Sequence, residues 1–318
     1  MAKNYEEFVD TLLNNYKKYL PEDLQHIELV STSKTKNNSI KVGCIAIRDD
    51  KSDSRLIPEF RCEDFYNSVH ETLTDEEMVE EVAEIIVNLC EKTFNCNVNN
   101  PVDINRTDNI IFRLVNTKEN EELLKTVPHR DFLDLSIIYC VAERNDEITG
   151  MYSVKMTNVL MQEYGLTEEE LFDLAYENTK RIYPLAIEDV HDKVLRLLDN
   201  ENDKELLFLL ERELIPSGYL FLISNDMNTM GAMSIIYKEE TLQKLAEQFD
   251  SDLYVFPSSI HEILVSAVNL YPDSDSTAKD LKEMVCNINI SSLLPEEVLS
   301  NNIYYYNKDK KELTVIED

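Results

Sequence analysis

The chain has 318 residues, 62 acidic against 31 basic side chains, and a formal net charge of -31. A chain this acidic is repelled by phosphate backbones and anionic headgroups. Its longest basic run, Lys308-Asp309-Lys310-Lys311, is short and interrupted, so no direct nucleic-acid binding is expected. Apolar residues make up 43%, enough for a sizeable core, and the five glycines argue against a dinucleotide fold or a phosphate-cradling loop.

The six cysteines, Cys44, Cys62, Cys90, Cys96, Cys140 and Cys286, form no CxxC pair. Cys90 and Cys96 stand too far apart for the usual zinc-ligand spacing. They read as free thiols of a reducing cytoplasm, with no metal and no cofactor expected. The opening "MAKNYEEFVDTLL" lacks the apolar run of a signal peptide. No window reaches the roughly 18 continuous apolar residues of a membrane span. A soluble, cytoplasmic protein without membrane contact is expected.

In chain order, "NYEEFVDTLLNNYKKYL" spaces its apolar residues at three and four, which predicts an amphipathic helix stopped by Pro21. "HIELVSTS" and "SIKVGCIAIR" read as strands, "LIPEF" as extended and "CEDFYNSVHETL" as helical. Thr74 with Glu77 forms a capping box before the apolar face Met78, Val82, Ile85, Ile86 and Leu89. "NIIFRLVN" is ambiguous, "KENEELLKTV" helical, and "FLDLSIIYCVAE" a central strand pairing with "GMYSVKM" across "RNDEIT".

Thr167 with Glu170 caps a helix that ends before Pro184. A second helix is expected at "AIEDVHDKVLRLL", then a helical or ambiguous apolar run after "NDKE". "GYLFLISN" and "GAMSIIY" read as a hairpin, "KEETLQKLAEQF" as a helix and "DLYVF" as a strand. Helices are expected near 258–268 and 276–286, with a closing hairpin in "IYYYNKDKKELTVI". Adjacent strand pairs with helices between them indicate an α+β fold, with mixed or antiparallel sheets and hairpins packed against amphipathic helices. It divides into an N-terminal α+β region, 1–145, and a C-terminal one, 146–318, or folds as one unit.

Two stretches could carry chemistry. "FPSSIHEILV" places Ser258, Ser259, His261 and Glu262 together. It lacks the second histidine of a metalloprotease helix, and no G-x-S-x-G occurs in the chain. The preferred reading is Ser259 as an N-cap with Glu262 closing a capping box. "TVPHRDFLDLSIIY" gathers His129, Arg130, Asp131 and Asp134 before a strongly apolar strand, and His129 is the base of choice if a site exists. The triplet Tyr304-Tyr305-Tyr306 is read as ordinary sheet packing in preference to an exposed partner-binding pair.

The segments "YEEFVDTLL", "VPHRDFLDLSIIY", "YGLTEEELFDLAYENT", "GAMSIIY", "DLYVFPSSIHEILV" and "LPEEVLSNNIYYYNKDKKEL" run in order through nearly the whole chain. As a set they resemble a domain-of-unknown-function family of low-GC Gram-positive, clostridial-type bacteria. The resemblance implies a bacterial cytoplasmic protein and brings no activity with it. The leading expectation is a non-enzymatic binding or regulatory protein with an acidic surface. It would bind another protein, in one version as an acidic decoy for a nucleic-acid-binding partner of basic surface, or a small ligand, while the acidity by itself reads first as ordinary solubility. The alternative is a hydrolase-like enzyme at the mouth of the central sheet, built from His129, Arg130, Asp131, Ser258 and His261.

Overall fold

A computed structural model describes residues 4–51, 57–94, 106–145, 150–200, 216–225, 227, 229–271 and 274–316. The turn expected over 146–149, the apolar run over 202–215 and Cys96 lie outside the described residues. The chain divides into two compact units. One comprises Met1–Lys36, Ile40–Ile104 and Ala142–Ser153; the other comprises Asn37–Ser39, Asn105–Val141 and Val154–Asp318. Every strand pairing with a described register is antiparallel, so the α+β class holds. No helix among the described residues is long and apolar enough to cross a membrane.

The first unit opens with helix α1 (Tyr5–Asn15) and the strands β1 (Glu28–Thr35), β2 (Lys41–Arg48) and β3 (Glu59–Phe60). Helices α2 (Cys62–Val69) and α3 (Asp75–Phe94) follow. The sheet runs β1-β2-β3, and its core gathers Phe8, Leu12, Ile45, Ile47, Tyr66, Val82 and Ile86. Burial follows the helical period predicted for α3, and Thr74 and Glu77 exchange the expected capping bonds. The first helix is shorter than its pattern, because a 3-10 turn over Tyr16–Lys18 takes its last residues.

The second unit begins with β4 (Ile110–Asn116), the single-turn α4 (Glu121–Leu124), β5 (His129–Phe132) and β6 (Leu135–Asn145) as far as Val141; the rest of β6 and β7 (Gly150–Lys155) as far as Ser153 belong to the first unit. These order as β4-β6-β5, with β7 also on β6. Next come α5 (Asn158–Tyr164), α6 (Glu168–Ile182), β8 (Leu185–Asp189), α7 (Val190–Asn200) and β9 (Phe221–Asn225). The chain closes through α8 (Leu242–Phe249), β10 (Leu253–Phe256), β11 (Ile263–Ala267), α9 (Ser274–Ser292), β12 (Tyr304–Asn307) and β13 (Glu312–Val315). A six-stranded sheet runs β13-β12-β10-β11-β9-β8.

Helix α6 lies along β4: Thr179, fully buried, accepts the Phe112 N–H at 3.0 Å, and Phe112 stacks on Phe172. Tyr304 and Tyr306 are fully buried and Tyr305 only partly, so the triplet packs by alternation and presents no exposed pair.

Four local readings are overturned, each by a tertiary partner. The helix expected near 258–268 is a loop followed by β11, which lies between β10 and β9 and takes ladder bonds on both sides. "GAMSIIY" is a 3-10 helix, Gly231–Ile236, because the N–H groups of Gly231 and Ala232 donate to His261 and Ile260. The helix expected from Ala186 begins only at Val190, after β8 has paired with β9. "FLDLSIIYCVAE" holds a hairpin turn at Leu133-Asp134, with Leu133 at φ 59°.

The capping box of α6 yields a pH prediction. Glu170 accepts the Thr167 N–H and hydroxyl at 2.9 and 2.8 Å, and these bonds hold its carboxyl below the ordinary range. A lowered folded value means stability present above the unfolded value of about 4.5 and lost as pH falls through the folded value. Glu170→Gln is therefore expected to destabilise at neutral pH and to converge with wild type in acid, measured by urea unfolding across that window. Thr167→Ala should cost about 1 kcal/mol.

Candidate functional site

The loop 257–262 lies in the second unit and holds two of the candidate residues, Ser258 and His261. Its backbone is bonded on two sides. Leu299 and Ser300 donate to the carbonyls of Ser258 and Pro257 at 2.8 and 2.9 Å, and Ile260 donates to Glu297 at 2.9 Å. On the other side the His261 carbonyl accepts from Gly231 N–H at 2.9 Å and from the Ser224 hydroxyl at 3.0 Å.

Ser259 is 1% exposed, and its hydroxyl accepts the His261 N–H at 3.0 Å. That is a local serine turn, and the Glu262 half of the expected capping box is not made. The His261 ring lies 3.4 Å from a Glu297 carboxylate oxygen, with both side chains about a third exposed. Among the described residues, neither Ser258 nor Ser259 bonds to that ring.

The second candidate stretch occupies β5 and its turn. Arg130 grips Glu168, the first residue of α6, through two N–H groups at 3.1 and 2.9 Å. Its guanidinium lies 4.0 Å over the Phe172 ring, a cation–π contact on the same helix. Tyr139, fully buried, donates its hydroxyl to the same Glu168, and burial first, then that bond, pushes its phenol far up. His129 is exposed with Nδ1 3.1 Å from the Val127 carbonyl, and Asp131 is exposed. No hydrogen bond or ion pair among the described residues joins His129, Arg130 or Asp131 to Ser258 or His261.

The two stretches approach through a different residue. Asp134, at the β5–β6 turn, accepts from Ser300 Oγ at 2.6 Å, Asn302 Nδ2 at 2.9 Å and the Tyr304 hydroxyl. The Ser300 N–H is the group that donates to Pro257. Burial, then the Asp134 charge, raises the Tyr304 phenol far above its ordinary value, so it stays a donor at neutral pH. The partners Glu168, Ser300, Asn302 and Tyr304 escape a sequence reading because they lie 29 to 170 positions away from the groups they bond. Only the position of Glu168 in a helix's first turn was legible, and it says nothing of Arg130.

Two open concavities lie elsewhere among the described residues. A cleft of about 580 Å³ lies among Ile187, Glu188, Asp189, Asp192, Leu195 and Arg196, and one of about 390 Å³ runs along α9 beside Lys282 and Cys286. Among the described residues no group of three or more His, Cys, Asp or Glu side chains is placed to hold a metal ion.

Three substitutions test this junction. Gly231→Ala would set a Cβ 2.1 Å from Ser224 Oγ and 2.4 Å from the His261 carbonyl, so it is expected to cost at least about 3 kcal/mol in chemical unfolding. Asp134→Ala strands three donors and should cost about 3 kcal/mol, whereas Asp134→Asn keeps one acceptor oxygen and should cost less.

A model of a family of unknown function, DUF5688, matches residues 5–308, so the chain belongs to that family. No curated protein and no solved structure matches the chain at a significant level.

Proposed function

We propose that this DUF5688 member is a non-enzymatic binding protein that receives a basic protein on a carboxylate-lined helix face. The observation that supports the reading is α3. Its buried face holds Met78, Val79, Val82, Ala83, Ile86 and Cys90, while Glu76, Glu77, Glu80, Glu81 and Glu84 are exposed. No lysine or arginine occurs between Asp75 and Glu91. At a rise of about 1.5 Å per residue these five carboxylates fall roughly every 3 Å along the axis. One nucleic-acid strand carries a charge about every 3.4 Å, so a surface built to grip phosphates meets a similar charge density here.

Like charges one turn apart cost a helix a few tenths of a kcal/mol per pair, so this arrangement opposes folding and is offset by the apolar face beneath. The same reading agrees with the bonding of the serine and imidazole groups, whose partners are backbone and carboxylates. The hydrolase alternative draws no support from those bonds.

The test is Glu80→Gln, Glu81→Gln and Glu84→Gln together. The triple variant is expected to melt at the same temperature as wild type or higher. In a low-salt pull-down it should retain several-fold less basic protein than wild type does, with wild-type retention falling as salt rises. Wild-type protein that retains no basic partner at low salt would sink the proposal.

A further inference from the structure

The sheet edge of the first unit carries a separate inference. Among the described residues β1 pairs only with β2, in unbroken register over all eight of its residues. Ser31, Ser33, Lys34 and Thr35 are exposed, whereas β2 is buried through most of its length. Natural edges are shortened, bulged, interrupted by proline or charged; β1 is neither short, bulged nor interrupted, and its two charges, Glu28 and Lys34, are of opposite sign. Alternate residues therefore present N–H and C=O groups outward along the whole strand.

The edge is also complementary to itself. When a second copy runs antiparallel about Ser31, Glu28 stands opposite Lys34 at both ends, and Val30 stands opposite Thr32. Glu28 and Lys34 are an even number of residues apart, so they share one face of the sheet. On that face Lys34 already lies 2.5 Å from Glu59, and Glu28 stands opposite Arg48 on β2. Across the junction the signs alternate: Glu59, Lys34, then the second copy's Glu28 and Arg48. Opposite charges paired across strands stabilise a sheet, and like charges oppose it.

We propose that two copies of this chain associate through β1, antiparallel about Ser31, joining two three-stranded sheets into one of six strands. The contact is isologous, so each charged pair occurs twice. It is a small interface and gives a weak, concentration-dependent dimer.

The experiment is sedimentation velocity on the full chain across a concentration series, with circular dichroism as the control for folding. Wild type is expected to dimerise. E28K and K34E should each weaken self-association about tenfold, since each turns two attractive pairs repulsive. Mixing the E28K and K34E chains should restore association to within about threefold of wild type, because both charged pairs across the junction are then opposite in sign. A folding defect could not produce that rescue. A monomer at every concentration, or a dimer indifferent to both variants and to their mixing, overturns the proposal and leaves the edge to another extended peptide or to solvent.

Discussion

One carboxylate organises the second unit: Asp134, held in a two-residue turn, collects the Ser300 hydroxyl, the Asn302 amide and the Tyr304 phenol. It ties the β5–β6 hairpin to the irregular segment 294–302, which must satisfy its backbone without a ladder of its own. Asparagine side chains do much of that work. Asn38 donates to the carbonyls of Pro295 and Val298, Asn37 to Glu296, Asn116 to Leu299 and Asn289 to Ser300. Each such bond contributes only about 1 kcal/mol net, but leaving a buried partner unmade costs more, so the set acts as a unit.

That arrangement bears on chemistry as well as stability. Serine, histidine and tyrosine are residues of catalytic sites, yet the bonds of Ser259, His261, Tyr139, Tyr304 and Tyr305 run to backbone and carboxylates. Ser259 accepts from its own chain, and Tyr139, Tyr304 and Tyr305 each donate to an acid. Burial, then the Asp252 bond, pushes the Tyr305 phenol up to about 12, so it is a neutral donor under ordinary conditions. Arg130, a candidate for the hydrolase-like site, is engaged by Glu168 and Phe172.

The surface departs from what stability alone would select. On α3 like charges face solvent a turn apart, and among the described residues one edge of β1 has no partner strand. Under the two proposals the first feature receives a cationic surface and the second an antiparallel strand. They are chemically independent, since one depends on net charge and salt and the other on hydrogen-bond register.

Local chemistry made much of the fold legible. The Thr74–Glu77 and Thr167–Glu170 boxes mark helix starts because their bonds close within four residues. The apolar, β-branched run in "SIKVGCIAIR" and the turn between Tyr306 and Glu312 place β2 and the terminal hairpin for the same reason. "SSIHEILVSAV" fits a capped helix equally well as a pattern, and its sequence holds no means of choosing. The choice was made by β9 and β10, which offered ladder bonds to β11, and by Gly231 and Glu297, which took the backbone groups of His261 and Ile260. The sequence by itself determined the acidity, the helix caps, the strand-forming runs and hence the α+β class, because those depend on neighbours in the chain. Only the tertiary structure decided which hydroxyls, imidazoles and carboxylates meet, because a polar group satisfies itself with whatever partner packing brings within about 3 Å, however distant in the chain.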